Sequence, residues 1–252
     1  MTAIFTALHR RQDTYIMEIR GGGEKSAAVI EEINNFLRFL GEAGCSGFDC
    51  SEKSLGIIKK WGIGSGKSPA DETLEDIRID LGDCRRCGLA YDRKNIVFGA
   101  GNPNAKLVFV GEAPGVEEDN KGEPFLGAAG SLFDKIIHAM KLTREEVYIC
   151  NVIKCRPPGN RNPVQNEIKA CLPFVKRQIA AIKPKVVCML GMVAAQSLLN
   201  TNELISRLRG VFYNYKKIKA LPTYHPAYLL RNPDKKREVW EDMKKIMKVL
   251  SV

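Results

Sequence analysis

The chain has 252 residues, 44% of them hydrophobic and 27% charged, which is an ordinary composition for a globular protein. This balance excludes a wholly disordered, collagen-like or coiled-coil chain. No apolar run reaches the roughly 18 residues that would predict a transmembrane helix. Lysine and arginine number 39 against 29 acidic residues, a net charge of +10. That excess favours nucleic acid as a partner, with an anionic membrane or a merely solvated basic surface as alternatives.

The N-terminal part differs in character from the rest. Residues 1–25 end in three consecutive glycines, 26–40 show the apolar spacing of an amphipathic helix, and 61–69 are rich in glycine and serine. These patterns predict a tail, one helix and a flexible linker. We therefore expect an N-terminal helical extension over 1–70 and a second domain over 71–252.

Two glycine-rich segments resemble nucleotide-binding loops but fail the tests for them. The Gly-Lys-Ser segment 66–68 matches the end of a phosphate-binding loop, yet Trp61 stands where its first glycine is required. The Gly-Ala-Gly segment 99–101 lacks the third glycine of a dinucleotide-binding fingerprint. Neither segment therefore indicates a nucleotide cofactor.

From residue 71 onward, short apolar runs alternate with helical patterns. Runs bounded by glycine, proline or polar residues predict four strands, at 106–110, 147–153, 186–190 and 219–223. Apolar residues at helical spacing predict helices at 131–140, 163–182 and 235–250. The alternation predicts an α/β fold with a central, mostly parallel four-stranded sheet flanked by helices. The functional site of such a sheet lies beyond the carboxyl ends of its strands.

Four cysteines are spaced as candidate metal ligands. Cys84 and Cys87 form a C-x2-C pair, Cys155 follows a predicted strand, and Cys171 lies on a predicted helix. Four thiolates bind either zinc or an iron–sulfur cluster, and the wide second pair favours the cluster without excluding zinc. The other cysteines are expected in the core (Cys150 and Cys188) or in an N-terminal loop (Cys45 and Cys50). Because no secretory signal is visible, this many cysteines predict a reducing compartment.

Four ordered segments resemble one known family. They are 111–119 (GEAPGVEED), 122–130 (GEPFLGAAG), 151–161 (NVIKCRPPGNR) and 225–231 (HPAYLLR). Together with the four cysteines, these segments are similar to the iron–sulfur, family-four uracil-DNA glycosylases. The resemblance covers about residues 84–249 and leaves the N-terminal extension outside it.

The resemblance implies the fold of the uracil-DNA glycosylase superfamily. It also implies a DNA N-glycosylase, which hydrolyses uracil from single- or double-stranded DNA as the first step of base excision repair. Because no lysine nucleophile stands beside the motifs, we expect the enzyme to be monofunctional. One 4Fe-4S cluster is implied on Cys84, Cys87, Cys155 and Cys171. We further expect a monomer without a membrane partner, acting in the cytoplasm and associated with the nucleoid when bound to DNA.

The family's motifs imply roles for four reacting or reading groups. A flipped uracil needs a flat apolar partner, for which Phe125 is the candidate, and such stacking is worth about 1–3 kcal/mol. Asn151 is expected to read the base, because one amide can accept from N3–H and donate to O4 of uracil. His225 is expected to donate to the developing oxyanion at O2. Glu112 is expected to stabilise the sugar cation and to position or activate water.

Each of these side chains also has a simpler interpretation. Phe125 could only pack in the core, Asn151 could only cap a turn, and Glu112 could only hydrogen-bond a loop. The superfamily's better-known members place an aspartate where this chain has Ala113. Water activation therefore stays open, with Glu118 and Asp119 as further candidates.

The same segments supply the remaining contacts to base and DNA. Three residues near Glu112 are expected to contact the base: Ala113, Pro114 and Glu118. Of these, Glu118 is expected to fill the space beside Gly115. Leu229 is expected to wedge into the vacated base stack, unless it begins the final helix. Three basic side chains are expected to hold DNA phosphates: Lys154, Arg156 and Arg231.

Three other functions stay open at this level. A non-catalytic DNA-binding module would keep the fold and charge but would not need Glu112, Asn151 and His225 together. A covalent uracil-DNA binder would need a histidine in an arginine-rich loop, where this chain has Pro-Pro-Gly-Asn-Arg at 157–161. A small electron carrier would use the cluster and would not need His225.

Overall fold

The computed structural model describes residues 72–251. The predicted tail, helix and linker, and the pair Cys45 and Cys50, lie outside the described residues. The N-terminal extension over 1–70 therefore stays a prediction. In the described part of the chain, no helix is long and apolar enough to cross a membrane.

A six-stranded sheet forms the centre of the described part. Its strands are β1 (Ala100–Gly101), β2 (Leu107–Gly111), β3 (Tyr148–Asn151), β4 (Val186–Leu190), β5 (Tyr213–Tyr215) and β6 (Ile218–Thr223), in the order β1-β3-β2-β4-β6-β5. The four inner strands run parallel and correspond to the four predicted runs. The expected number of strands was too low by two. Strands β1 and β5 pair antiparallel at the edges and have two and three residues, too few for an apolar pattern to show.

Eight α-helices accompany this sheet in the described residues. They are α1 (Leu74–Leu81), α2 (Val116–Lys121), α3 (Ala128–Ala139), α4 (Gln165–Ile182), α5 (Met192–Leu199), α6 (Ile205–Leu208), α7 (Pro226–Arg231) and α8 (Lys236–Leu250). The three predicted helices are confirmed as α3, α4 and α8. All five helices that were not predicted have eight residues or fewer, which gives little room for a helical period to repeat.

Both faces of the sheet are covered, as nearly continuous apolar strands predict. Successive residues of β2 point to opposite sides, so that Val108 packs in one buried cluster and Phe109 in the other. Cys150 and Cys188 are 0% exposed and belong to opposite clusters. Their predicted place in the core is therefore confirmed.

Helix α1 is anchored on α4. Ile77 and Phe174 share a buried cluster between the two helices, and Arg177 of α4 pairs with Glu72 and Asp80. Because α1 ends shortly before Cys84, this anchoring brings the C-x2-C segment next to the helix that carries Cys171.

The parallel strands bring their carboxyl ends to one edge of the sheet. Gly111 at the end of β2 is in register with Asn151 at the end of β3. Leu190 of β4 pairs with Thr223 of β6, two residues before His225. The segments singled out in the sequence therefore meet at this edge.

Candidate active site

A cavity opens at the carboxyl edge of the sheet. Its lining comes from the segments that follow β2, β3 and β6, together with the loop before α3. All seven residues expected to contact the base lie on it: Glu112, Ala113, Pro114, Glu118, Phe125, Asn151 and His225. Asn160 and Arg161, which were not predicted, line it as well.

Asn151 lines this cavity and carries an unsatisfied hydrogen-bond acceptor. The residue is 2% exposed, and its Oδ1 is buried without a hydrogen-bond donor among the described residues. A buried acceptor left unpaired costs about 1–3 kcal/mol. A ligand N–H that reached Oδ1 would recover that cost, so the arrangement suits a base that donates at this position.

Phe125 lies in the cavity wall in a strained backbone conformation. Its φ is 57°, in the left-handed region that a bulky residue rarely adopts. The guanidinium of Arg144 donates to the carbonyls of both Pro124 and Phe125. Gly130 completes the arrangement, because a Cβ there would overlap the Phe125 carbonyl. Packing of α3 and the hydrogen bonds of Arg144 therefore hold this conformation.

Phe125 is buried, with only 5% of its surface exposed. Its ring packs 4.7 Å from that of Phe133 and stacks 5.5 Å from the imidazole of His225, measured between ring centroids. Phe125 is thus both a core residue and part of the cavity lining, so the two interpretations of the sequence are compatible.

His225 is held as a neutral imidazole with a defined tautomer. Its Nδ1 accepts a hydrogen bond from the Ala227 N–H at 3.1 Å, at the start of α7. Burial lowers the pKa of His225 to about 4, with Arg231 adding to the fall and Glu118 opposing it. Because Nδ1 is an acceptor in the neutral ring, the proton resides on Nε2 and makes that nitrogen the donor.

Glu112 places a carboxyl group on the same lining. Its side chain is partly buried, and burial raises its pKa above the usual range for glutamate. The neighbouring backbone is fixed, since the Glu112 carbonyl accepts from the Ile153 N–H at 2.9 Å. A carboxylate with a raised pKa is a better proton acceptor, as a general base requires.

Glu118 joins the two ends of the loop around the cavity. Its Oε2 accepts from the Gly115 N–H at 3.0 Å, and its Oε1 accepts from the N–H groups of Leu126 and Gly127 at 2.9 and 3.2 Å. A Cβ at Gly115 would lie 2.7 Å from Oε2, so the carboxylate does fill the space beside that glycine. Because three backbone N–H groups of the loop donate to its carboxylate, Glu118 holds the loop in the shape that forms the pocket.

Asp119, the other candidate for water activation, lies elsewhere. It is 2% exposed and is absent from the cavity lining. Its Oδ1 accepts from the backbone N–H groups of Lys94 and Asn95. Asp119 therefore fixes the preceding loop, and that interpretation of its role was wrong.

Two of the expected DNA contacts are contradicted by burial. Lys154 is 0% exposed, so its ammonium cannot reach a phosphate. Leu229 is 1% exposed and packs in the core, because α7 begins directly after His225 and turns this side chain inward. Its neighbour Leu230 is 45% exposed. Arg231 is exposed and Arg156 is partly exposed, with its Nε bonded to Asn160.

The four cysteines expected to bind a cluster line one small cavity, away from the candidate active site. Three N–H groups donate to their sulfurs: Arg86 to Cys84 Sγ at 3.4 Å, Arg93 to Cys155 Sγ at 3.5 Å, and the Lys154 backbone to Cys171 Sγ at 3.2 Å. No cluster of three or more histidine, cysteine, aspartate or glutamate side chains within 72–251 forms a ready site for a metal ion. The four sulfurs nevertheless share one cavity, with cationic donors beside them.

Comparison with protein families matches residues 98–244 to the uracil DNA glycosylase superfamily. The chain is 46% identical over 183 residues to a type-4 uracil-DNA glycosylase of Archaeoglobus fulgidus, covering 69% of this chain and 92% of that protein. It is also 41% identical over 179 residues to a type-4 uracil-DNA glycosylase of Thermotoga maritima, covering 69% of this chain and 93% of that protein.

The chain belongs to the type-4 uracil-DNA glycosylases. A further member, from Saccharolobus solfataricus, is 41% identical over 189 residues, which is 88% of that protein. The superfamily match includes Glu112, Asn151 and His225 and begins after Cys84 and Cys87. Membership in the family and the α/β fold are thereby confirmed.

Proposed function

We propose that the chain hydrolyses the N-glycosidic bond between uracil and deoxyribose in DNA and leaves an abasic site, the first step of base excision repair. The proposal rests on one observation: Asn151, with its unsatisfied Oδ1, and a neutral His225 line the same cavity. The family supports uracil-containing DNA as the substrate, and the net charge of +10 suits a polyanion.

Base reading is assigned to Asn151. Its buried Oδ1 accepts from N3–H of a flipped uracil while the amide N–H2 donates to O4. Cytosine presents an acceptor at N3 and a donor at C4, so both contacts would be mismatched. Since the site's own polar group would stay unpaired with cytosine, rejection of the wrong base is strong.

Bond cleavage is assigned to His225 and Glu112. As the bond between N1 and C1′ breaks, its electron pair goes to uracil, and His225 Nε2–H donates to O2 where the charge collects. Water adds to C1′ of the sugar cation, and Glu112 accepts the proton that this water loses. Phe125 stacks on the base and keeps bulk water from it.

The DNA surface is assigned to the rim around this cavity. Arg156 and Arg231 would neutralise phosphates, and Leu230 replaces Leu229 as the side chain exposed enough to fill the gap left by the flipped base. We further propose a monomer that acts in the cytoplasm and associates with the nucleoid through the DNA it binds.

The cysteine cavity is assigned to one 4Fe-4S cluster on Cys84, Cys87, Cys155 and Cys171. An all-thiolate donor set on one cavity, with Arg86 and Arg93 directed at the sulfurs, suits an anionic iron–sulfur cluster. The bound cluster would cross-link α4, the loop after β3 and the segment after α1.

Cleavage of a single-stranded oligonucleotide with one uracil, revealed by hot alkali, tests the proposed activity. We expect cleavage at uracil and a loss of at least about 100-fold in His225→Ala, the order set by removing one oxyanion donor. His138→Ala is the matched control, because this histidine is exposed on α3 and absent from the cavity lining. It should cleave like the parent.

Each alternative function has its own result in this assay. No cleavage by protein that contains the cluster would overturn the proposal and favour a DNA-binding module. An adduct with DNA that resists denaturation would favour a covalent uracil binder. Reversible reduction of the cluster without cleavage at uracil, with the same reduction in His225→Ala, would favour an electron carrier.

A further inference from the structure

Lys154 is a fully buried basic residue. Its Nζ donates to the Asn151 carbonyl at 2.8 Å and to Gln178 Oε1 at 2.7 Å, and both acceptors are neutral. Among the described residues, no carboxylate forms an ion pair with it, and the residue is 0% exposed. An ammonium buried without a counter-charge is costly, so this position calls for negative charge nearby.

The sulfur side of Lys154 can supply that charge. The Lys154 backbone N–H donates to Cys171 Sγ at 3.2 Å, the next residue is Cys155, and Lys154 lines the cysteine cavity. Four thiolates around an iron–sulfur core give a net negative charge, and nearby cations and N–H donors to sulfur stabilise it.

The other side of Lys154 faces the base-reading residue. Asn151 ends β3; its carbonyl accepts a hydrogen bond from the ammonium, and the residue also lines the active-site cavity. Gln178 on α4 fixes the ammonium from behind, and its own Nε2 donates to Phe98 and Tyr148. One side chain thus connects the cysteine cavity to Asn151.

We propose that Lys154 is a positioning residue that couples the iron–sulfur cluster to base reading. Its ammonium is the buried counter-charge of the cluster, and its hydrogen bond to the Asn151 carbonyl keeps the amide aimed at the base. This inference rests on the proposed function, since it assumes both the cluster and the reading role of Asn151. Through Lys154, the cluster would influence discrimination between uracil and cytosine although it does not itself contact DNA.

Arg93 offers a matched comparison. Like Arg86, it is a further basic residue on the cysteine cavity; its side chain is 7% exposed, and it donates to Cys155 Sγ. Its other donors go to the Cys84 carbonyl and to Asp83, not to Asn151. Removing Arg93 therefore removes a donor to a cluster-binding sulfur but leaves the hydrogen bonds of Asn151 intact.

The test compares Lys154→Met, Lys154→Arg and Arg93→Met with the parent in two measurements. The first is iron bound per chain. The second is the ratio of dissociation constants for single-stranded oligonucleotides with one 2′-fluoro-deoxyuridine or one 2′-fluoro-deoxycytidine, whose fluorine slows cleavage. Thermal unfolding of each variant shows whether it is folded.

In Lys154→Met we expect both iron content and the preference for uracil to fall, the preference by about 10- to 100-fold, as for loss of a hydrogen bond from a charged group. Arg93→Met should lose iron but keep the preference in the fraction that retains the cluster. Lys154→Arg keeps the charge and should keep iron, while its longer side chain displaces the Asn151 carbonyl and lowers the preference.

Parental iron content and preference in Lys154→Met would overturn the inference. So would a preference that falls equally in Lys154→Met and Arg93→Met, since the effect would then come from the cluster alone. If Lys154→Met does not fold, loss of iron or an unchanged preference in Lys154→Arg would overturn it. A parent protein that does not prefer uracil would instead contradict the proposed function, whatever the variants do.

Discussion

Gly111 and Asn151 face each other in register at the ends of neighbouring parallel strands, and the missing side chain of Gly111 is what leaves room for the Asn151 amide. A Cβ at Gly111 would overlap Asn151 Oδ1 and lie 2.7 Å from the Phe125 ring. Asn151, proposed to read the base, and Phe125, proposed to stack on it, therefore both depend on one backbone position that bears no functional group.

Gly111→Ala should therefore lower activity strongly. The added methyl group must displace Asn151 or Phe125, and we expect kcat/KM on a uracil oligonucleotide to fall by at least about 100-fold, as small misplacements of reacting groups do. Overpacking of this kind costs about 1–3 kcal/mol of stability. Gly88→Ala, which meets no atom within 4 Å, is the control and should behave like the parent. Full activity in Gly111→Ala would contradict the assigned roles.

The acid side of the pH–activity profile should report Glu112. Burial raises its pKa, so activity should begin to fall at a higher pH than an ordinary glutamate would give, as the base becomes protonated. Since the pKa of His225 is lowered to about 4, its neutral donor form persists to lower pH. Glu112→Gln should lose about 10²–10⁴-fold in kcat and also lose this acid limb. A limb that stayed unchanged in the variant would exclude Glu112 as the titrating group.

His225 should also make stability depend on pH. In the unfolded chain this histidine binds a proton below about 6.5, whereas in the folded protein it does so only near pH 4. The unfolded state therefore binds more protons between these values, and the free energy of unfolding should fall as pH decreases from about 6.5 to about 4. His225→Asn should show less of this fall in urea titrations, with His138→Asn as the control. Equal pH dependence in both variants would contradict burial as the cause.

Arg144 should matter through the shape of the Phe125 loop. Arg144→Ala removes the donors to the carbonyls of Pro124 and Phe125 and the ion pair with Asp134. We expect stability to fall by about 1–3 kcal/mol and KM to rise as the stacking ring loses its position. Arg207→Ala removes an ion pair whose arginine is 74% exposed and should change neither quantity. An unchanged KM in Arg144→Ala would show that packing against Gly130 suffices.

Leu229 and Leu230 should separate stability from base flipping. Leu229→Ala empties a core position and should cost about 2–5 kcal/mol of stability. Leu230→Ala should leave stability unchanged but slow cleavage of uracil in duplex DNA more than in single strands, because only the duplex needs a side chain to fill the stack. Equal losses on both substrates in Leu230→Ala would remove it from that role.

The strands that carry the site could be predicted from sequence because each is a largely apolar, largely buried run of four to six residues. All seven residues that the motifs assigned to base contact lie on the cavity lining, whereas Asn160 and Arg161 were not predicted there. The predictions from sequence were wrong where the direction of a side chain, rather than its residue type, determines whether it is exposed. Lys154 has the polarity of a surface residue, and only the fold shows that its side chain turns inward to the Asn151 carbonyl. Leu229 and Leu230 are the same residue type in adjacent positions, so the start of α7 alone determines which of them is exposed.

The two short edge strands of the sheet affect how readily the protein aggregates in concentrated solution. Ala100–Gly101 and Tyr213–Tyr215 offer only a few backbone groups to another chain, and Lys216 and Lys217 follow the second of them. Long, uncharged edge strands pair with strands of other chains and lead to fibres, whereas short edge strands beside lysines resist such pairing. A sheet that ends in this way protects an otherwise very apolar set of inner strands from self-association.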